Sequence, residues 1–320
     1  MATTFLPRTT FPPLDSLPRS YFLGHHAAGL AKMRSIHDHI DLVIECRDYR
    51  IPFTSRNPMF ESALQDKERV MVFTKGDLGE WRDRKKVSRV DDDSLNRRLE
   101  GCRTHDLLHA LHQPLSVSVM DPRSPTAIQR LVQLVRDKAA QRTRRTLTGM
   151  HCMVVGMPNV GKSTLLNQLR HAGVHRGKSA ATGAQPGVTR KMGTAVKIVE
   201  GGALGGGGDV YVLDTPGVFV PYVPDAEAML KLAVCGCVKD TVIAPVTVAD
   251  YLLFHANLHD PGVYARYAPP TNDVETLLQA VASRTGRLGK GGVLDLDATA
   301  LWVIQQWRQG HMGRFSLDVV

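Results

Sequence analysis

The chain has 320 residues, 43% apolar and 22% charged, a balance that suits a folded globular protein and excludes a disordered or collagen-like one. Its formal net charge of +9 fits a partner made of phosphate, RNA above all. No apolar run reaches the ~18–20 residues that a membrane span needs, and the length allows one large domain or two to three small ones. The five cysteines, Cys46, Cys102, Cys152, Cys235 and Cys237, form no regular framework. An odd, scattered set argues for reduced thiols and an intracellular compartment. Cys235-x-Cys237 has no second pair at metal-site spacing, so both are expected as small buried residues.

Residues 1–20 contain Arg8 and Arg19, several Ser, Thr and Phe, and one acid, Asp15. They are expected as a flexible leader, with some features of a mitochondrial transit peptide, although Pro12, Pro13 and Pro18 break any long helix. Residues 22–34 read as a short amphipathic helix and 41–46 as a buried parallel strand. Residues 57–65 read as a helix, 69–73 as a strand ending in Thr74-Lys75-Gly76-Asp77, and 81–98 as a charged helical stretch. Residues 115–119 form a third strand. Ile128, Leu131, Val132, Leu134 and Val135 then mark a helix with a core-facing stripe. Its basic end (Arg142, Arg144, Arg145) suits a helix C-terminus and an RNA contact. Residues 196–199 and 210–213 make a hairpin across a glycine-rich link.

The most informative stretch is Gly156-Met157-Pro158-Asn159-Val160-Gly161-Lys162-Ser163-Thr164. It follows the apolar run 152–155 and opens a helix. That is the G-x-x-x-x-G-K-[ST] phosphate loop: backbone N–H groups of the turn face phosphate oxygens, Lys162 reaches the β/γ-phosphates, and Ser163 ligates Mg²⁺. Asp214-x-x-Gly217 closes a strand, where the Asp holds Mg²⁺ through water and the Gly217 N–H meets the γ-phosphate. Thr189, in Pro186-Gly187-Val188-Thr189, is the expected switch threonine, a third oxygen on Mg²⁺. Thr74-Lys75-Gly76-Asp77 ends a strand, where open α/β sheets bind ligands. Asp77 there accepts both guanine N1–H and N2–H₂, a donor pair that adenine lacks, while the Lys75 stem packs on the base. The strand that carries Ser118 ends where it can close over the base.

Strands alternate with helices up to Gly217, which predicts an α/β fold: a doubly wound, mostly parallel sheet over residues 21–223, followed by a small all-helical C-terminal domain over residues 224–320. The order along the chain is base-reading motif, base-closing strand, phosphate loop, switch threonine, D-x-x-G. This is the usual guanine-nucleotide order cut and rejoined, a permutation that costs only a short link. It makes the segment after D-x-x-G lead straight into the C-terminal domain.

That order resembles the circularly permuted GTPases of ribosome assembly, and within them the YlqF/RbgA family with its mitochondrial ribosome-associated members. Residues 22–33 are similar to the family's F-P-G-H-M-x-K opening segment. Glu45-Cys46-Arg47-Asp48-Tyr49-Arg50-Ile51-Pro52 and Ser55-Arg56-Asn57-Pro58 are similar to its D-A-R-I-P-x-S-x-R-N-P signature. Residues 291–295 and 307–313 resemble its C-terminal helical domain. Two positions depart from the pattern: Thr74 replaces the Asn of N-K-x-D, which predicts a lost contact to guanine N7 or a neighbouring loop, and His25-His26 replaces His-Met.

The resemblance implies a GTPase that binds GTP and GDP, acts on a maturing large ribosomal subunit and its rRNA, and leaves after hydrolysis. It implies a mitochondrial setting, matrix or matrix face of the inner membrane with peripheral membrane contact, against a cytoplasmic or nucleolar alternative. Val218 follows D-x-x-G, where a glutamine often orients the attacking water, so slow intrinsic turnover is expected. His25 is the water-positioning candidate by resemblance. Asn159 resembles the asparagine of potassium-stimulated GTPases, which implies K⁺ as a second cation. Basic residues at 82–89 and 142–145 offer salt-dependent phosphate contacts. The alternative function is a nucleotide-dependent rRNA-binding placeholder with little hydrolysis.

Overall fold

The computed structural model describes residues 5–14, 17–21, 24–64, 66–79, 116–119, 124–142, 149–174, 195–201, 208–219 and 223–318. The apolar runs pair as six strands: β1 (Leu42–Asp48), β2 (Glu68–Thr74), β3 (Ser116–Val119), β4 (Met150–Gly156), β5 (Val196–Val199) and β6 (Val210–Asp214). They form one sheet in the order β3-β2-β1-β4-β6-β5. Every neighbouring pair is parallel except β5–β6, the expected hairpin.

Side chains alternate across a strand, and here both faces are buried. Leu42, Ile44 and Cys46 of β1 and Cys152 and Val154 of β4 face one buried cluster; Val43, Met153 and Val155 face another. The first face is covered by α3 (Pro125–Gln141), through Ile128, Leu131, Val132 and Val135, and by α4 (Lys162–Val174), through Leu165, Leu166 and Leu169. The second is covered by α1 (Gly24–Ser35), through Met33, and α2 (Pro58–Ala63), through Phe60. Helices on both faces are the reason the strands read as nearly unbroken apolar runs. In α1, His26, Gly29, Leu30 and Met33 are buried, the i, i+3, i+4, i+7 stripe of a packed helix.

Strand order reverses between β1 and β4, so their carboxyl ends diverge into a crevice. The ends of β1, β2, β4 and β6 carry Asp48, Thr74, Gly156 and Asp214. The three anticipated motifs that end β2, β4 and β6 therefore meet at the carboxyl end of the sheet, with Asp48 of β1 among them.

The rest of the described chain is helical: α5 (Ala226–Val234), α6 (Pro245–His259), α7 (Val274–Thr285) and α8 (Leu296–Arg308). Asp225, Asp273 and Asp295 cap α5, α7 and α8 by accepting backbone N–H groups, each cap contributing about 1 kcal/mol. Leu252, Leu278, Ile304 and Trp307 of these helices share the buried cluster that lies on the first sheet face. Leu317 N–H donates to the Arg50 carbonyl at 2.8 Å, and the Asp318 carboxylate accepts from the Phe53 and Thr54 N–H groups at 2.9 Å. Part of the segment read as a leader is also docked. Arg8 lies 2.6 Å from Asp250 of α6, and Phe11 meets Tyr251 edge-on with 5.1 Å between ring centroids. The helix expected at 81–98 lies outside the described residues.

A candidate guanine-nucleotide site

The phosphate loop runs from the end of β4 into α4. Glycine is needed at two places in and around it for want of space. A Cβ on Gly156 would lie 2.4 Å from the Cys46 carbonyl oxygen. A Cβ on Gly217, across the site, would lie 2.5 Å from Pro158 Cα and 3.0 Å from Lys162 Nζ. The glycine of D-x-x-G thus lets that segment close directly on the loop. Pro158 and Val160 are buried, Gly161 is half-buried and Thr164 is exposed.

Lys162 is 5% exposed, and its ammonium donates to the Met157 carbonyl at 2.7 Å. Burial pushes its pKa down, with Asp214 pulling the other way. A buried cation whose charge is held mainly by a backbone oxygen is set to gain from an arriving phosphate. Ser163 donates its hydroxyl to Asp214 Oδ2 at 2.9 Å. Asp214 Oδ1 is buried with no hydrogen-bond partner among the described residues, and burial raises the carboxyl's pKa. One hydroxyl beside a carboxylate with an unsatisfied oxygen is the donor set of a hard divalent cation such as Mg²⁺. Among the described residues no cluster of three His, Cys, Asp or Glu side chains forms a closed metal cage.

The base-reading turn meets the phosphate loop directly. Thr74 donates its hydroxyl toward the Val160 and Arg47 carbonyls, the latter at 3.0 Å. The expected loss of a neighbouring-loop contact at this position is therefore not seen: the shorter threonine reaches the loop because β1 and β4 place those carbonyls within its reach. Lys75 has φ +57° and spans two partners, the Asn159 carbonyl at 2.7 Å and Asp48 Oδ2 at 2.9 Å. Asp77 follows in the 3₁₀ turn Gly76–Leu78 and is 5% exposed.

Residues beyond the anticipated set also build the site. Asp48 receives three bonds from Arg50, the backbone N–H at 3.0 Å, Nε at 3.0 Å and Nη2 at 2.8 Å, beside the Lys75 ammonium. Burial works against the Asp48 carboxylate, but Arg50 and Lys75 outweigh it and hold its pKa well below the usual range. The signature at 45–58 pointed to this loop without showing what its charges do. Asn159 has φ +57°, and its Nδ2 donates to the Gly236 carbonyl at 3.2 Å, just past α5. No local spacing reveals a bond across so many residues.

Val218 is fully buried, its N–H on the Gly156 carbonyl at 3.3 Å and its carbonyl accepting from Asn57 at 2.9 Å. It offers no polar atom to a water. His25 lies on α1, but its side chain, like that of Ser118 on edge strand β3, is outside the described atoms; Thr189 lies wholly outside the described residues. Gly29, one turn after His25, packs on D-x-x-G: a Cβ there would lie 3.1 Å from Pro216. Cys235 and Cys237 are buried as expected. Arg142 pairs with Asp41 and donates to the Gly149 carbonyl at 3.2 Å, so its charge closes the base of the sheet. Arg144 and Arg145, with the basic residues at 82–89, lie outside the described residues.

A family model described as 50S ribosome-binding GTPase matches residues 151–278. It begins on β4, so the base-reading turn precedes it in the chain. The chain is 36% identical to Mitochondrial GTPase 1 of Schizosaccharomyces pombe, over 99% of this chain and 94% of that protein. It is 33% identical to Mitochondrial ribosome-associated GTPase 1 of Mus musculus, over 97% and 93%. It is 31% identical to Ribosome biogenesis GTPase A of Priestia megaterium, over 93% and 96%. The crystal structure of GNP-bound YlqF from T. maritima superposes with a TM-score of 0.55 at 21% identity, covering 90% of this chain and 96% of that one, which shows the shared fold. With near full-length likeness and a base-reading turn that braces a phosphate loop following it in sequence, the chain belongs to the circularly permuted YlqF/RbgA-type GTPases, alongside the mitochondrial GTPase 1 proteins.

Proposed function

We propose that this protein is a GTP-hydrolysing assembly factor for the large ribosomal subunit of mitochondria, binding when loaded with GTP and leaving after hydrolysis. The observation that carries the reading is the junction of base-reading turn and phosphate loop. Thr74 and Lys75 hold Val160 and Asn159, so guanine recognition and phosphate binding form one unit. Relatives named for ribosome association and ribosome biogenesis support the choice of partner.

In this reading Asp77 reads the base, with Ser118 closing over it. The loop from Pro158 to Thr164 wraps the phosphates, and the Gly217 N–H meets the γ-phosphate. Ser163, Asp214 and Thr189 hold Mg²⁺, which neutralises phosphate charge when bound. Lys162 lies over the same oxygens, already desolvated and so able to act strongly. Asn159 is the candidate for K⁺. Val218 cannot orient water, so that task falls to His25, whose helix packs on D-x-x-G. Residues 21–223 act as the GTPase domain and 224–320 as a helical domain that reports nucleotide state to the ribosome. Residues 1–20 serve import to the matrix, and peripheral contact with the inner membrane and rRNA draws on the positive charge.

Measuring GTP hydrolysis alone and with isolated large subunits, in K⁺ and in Na⁺ buffer, tests this. Strong stimulation by large subunits is expected. Binding without stimulation favours the second reading, a nucleotide-dependent rRNA-binding placeholder. The apolar, fully buried Val218 is the observation that speaks for it.

A further inference from the structure

The end of α5 and the turn Cys235-Gly236-Cys237 that continues it are held from both sides. On one side, Asn159 of the phosphate loop donates to the Gly236 carbonyl at 3.2 Å. On the other, Arg308, near the end of α8, donates Nε to the Val234 carbonyl at 2.8 Å and Nη2 to the Ala233 carbonyl at 2.7 Å. Asp240 fixes the same guanidinium at 2.7 Å. Gly236 has φ +76°, and a Cβ there would lie 2.9 Å from Asn159 Nδ2 and 3.2 Å from Arg308 Cζ. No side chain fits between the two.

The chain of contacts returns by a second route. Trp307, next to Arg308, lies under the Arg50 guanidinium, 4.7 Å from centroid to Cζ. Arg50 grips Asp48, Asp48 holds Lys75, and Lys75 donates to the Asn159 carbonyl. Asn159 is thus bonded at its side chain by the turn after α5 and at its backbone by the base-reading turn. Both bonds trace back to adjacent residues of α8. A non-glycine residue at positive φ is uncommon and asparagine is among the few that adopt it; these two bonds hold Asn159, and with it the loop's backbone, in that conformation.

We propose that Arg308 is a positioning residue for the phosphate loop: through the Cys235–Cys237 turn it sets Asn159, so that displacement of α8 by a partner loosens the loop's hold on nucleotide. The two sites are the nucleotide crevice and α8, and the coupling is reciprocal: nucleotide in the loop favours the seated position of α8. The inference rests on the reading of Gly156–Thr164 as the nucleotide's phosphate loop.

The test is the dissociation rate and affinity of a fluorescent GDP analogue for the full chain and for Arg308→Ala, Arg308→Lys, Asp240→Asn, Asn159→Ala and the Asn159→Ala/Arg308→Ala pair, with melting temperatures for each. Arg308→Ala should speed dissociation about five- to tenfold, and Asp240→Asn should shift it less in the same direction. The double variant should be no faster than the faster single variant, since both cut one path. Should Arg308→Ala fail to fold, Arg308→Lys and Asp240→Asn carry the test. An unchanged dissociation rate with a lowered melting temperature would leave Arg308 a purely structural residue and overturn the proposal. Independent, multiplying effects of the two single changes would overturn it as well. Failure of the unaltered chain to bind the analogue would instead remove the nucleotide-site reading itself.

Discussion

The Lys75 ammonium lies 2.7 Å from the Asn159 carbonyl and 2.9 Å from Asp48 Oδ2. One side chain from the base-reading turn therefore ties β1, β2 and the phosphate loop together. It does so from a left-handed backbone position, φ +57°, which costs free energy for a non-glycine residue and persists only where the surroundings hold it. Thr74, its neighbour, makes the parallel bond to Val160.

The Thr74 hydroxyl is buried and faces two carbonyls. Thr74→Val keeps the shape and removes the donor. It should cost about 1–2 kcal/mol of stability and weaken GDP binding, read by thermal melting and by titration with a fluorescent nucleotide. Equal GDP affinity in the variant would show that the bond does not brace the loop.

Asp77→Asn tests base recognition. The side chain keeps its size and loses the second acceptor for the guanine donors. Hydrogen bonds to a charged group are worth about 1.5–3 kcal/mol, so GDP affinity should fall by about ten- to a hundredfold, with the fold and the melting temperature little changed. Competition by ATP against GTP in the unaltered chain is expected to be weak.

His255 gives the molecule an acid-sensitive point. It is 2% exposed, its ring stands 4.7 Å from Tyr251, and neither ring nitrogen has a partner among the described residues. Burial, aided by Lys231 and His259, pushes its pKa down to about 3. The folded value lies below the unfolded one near 6.5, so the folded state binds fewer protons in between. The stability is fully present above about pH 6.5 and is lost as pH falls toward 3, at about 1.4 kcal/mol per pH unit from this group. Urea midpoints at pH 7, 6 and 5 should show the decline, and His255→Phe should flatten it. An identical slope in the variant would assign the acid sensitivity elsewhere.

Asp48 adds a second loss at lower pH. Its folded pKa is depressed, so its contribution is present above the unfolded carboxylate value near 4 and fades as pH drops further. Asp48→Asn should be the costlier change at neutral pH, about 3–5 kcal/mol, because it leaves the buried Arg50 without its anion. Chemical denaturation of the variant at pH 7 measures this.

The docked N-terminal residues make a separate prediction. Phe11 sits against Tyr251 and Phe254, and the Arg8 guanidinium lies 5.6 Å from the Phe11 ring centroid. Phe11→Ala should lower stability by about 1–3 kcal/mol while leaving nucleotide affinity unchanged. A melting temperature equal to that of the unaltered chain would mean that this segment is not held in solution.

Local chemistry in the sequence determined much of this. The phosphate loop is legible because glycine, lysine and serine must recur at one spacing wherever a turn between strand and helix grips phosphate. The strands are legible because burial on both faces demands unbroken apolar runs. The permuted order is legible because it is only an order. What tertiary structure decided is which distant groups meet. Thr74 bonds Val160, Asn159 bonds Gly236, Arg142 pairs with Asp41, and Arg8 pairs with Asp250. Each bond joins residues far apart in the chain, and no residue's own spacing encodes its partner. Packing of the helices on the sheet chooses those partners, because a buried polar group must find whichever donor or acceptor the close-packed neighbours bring within reach.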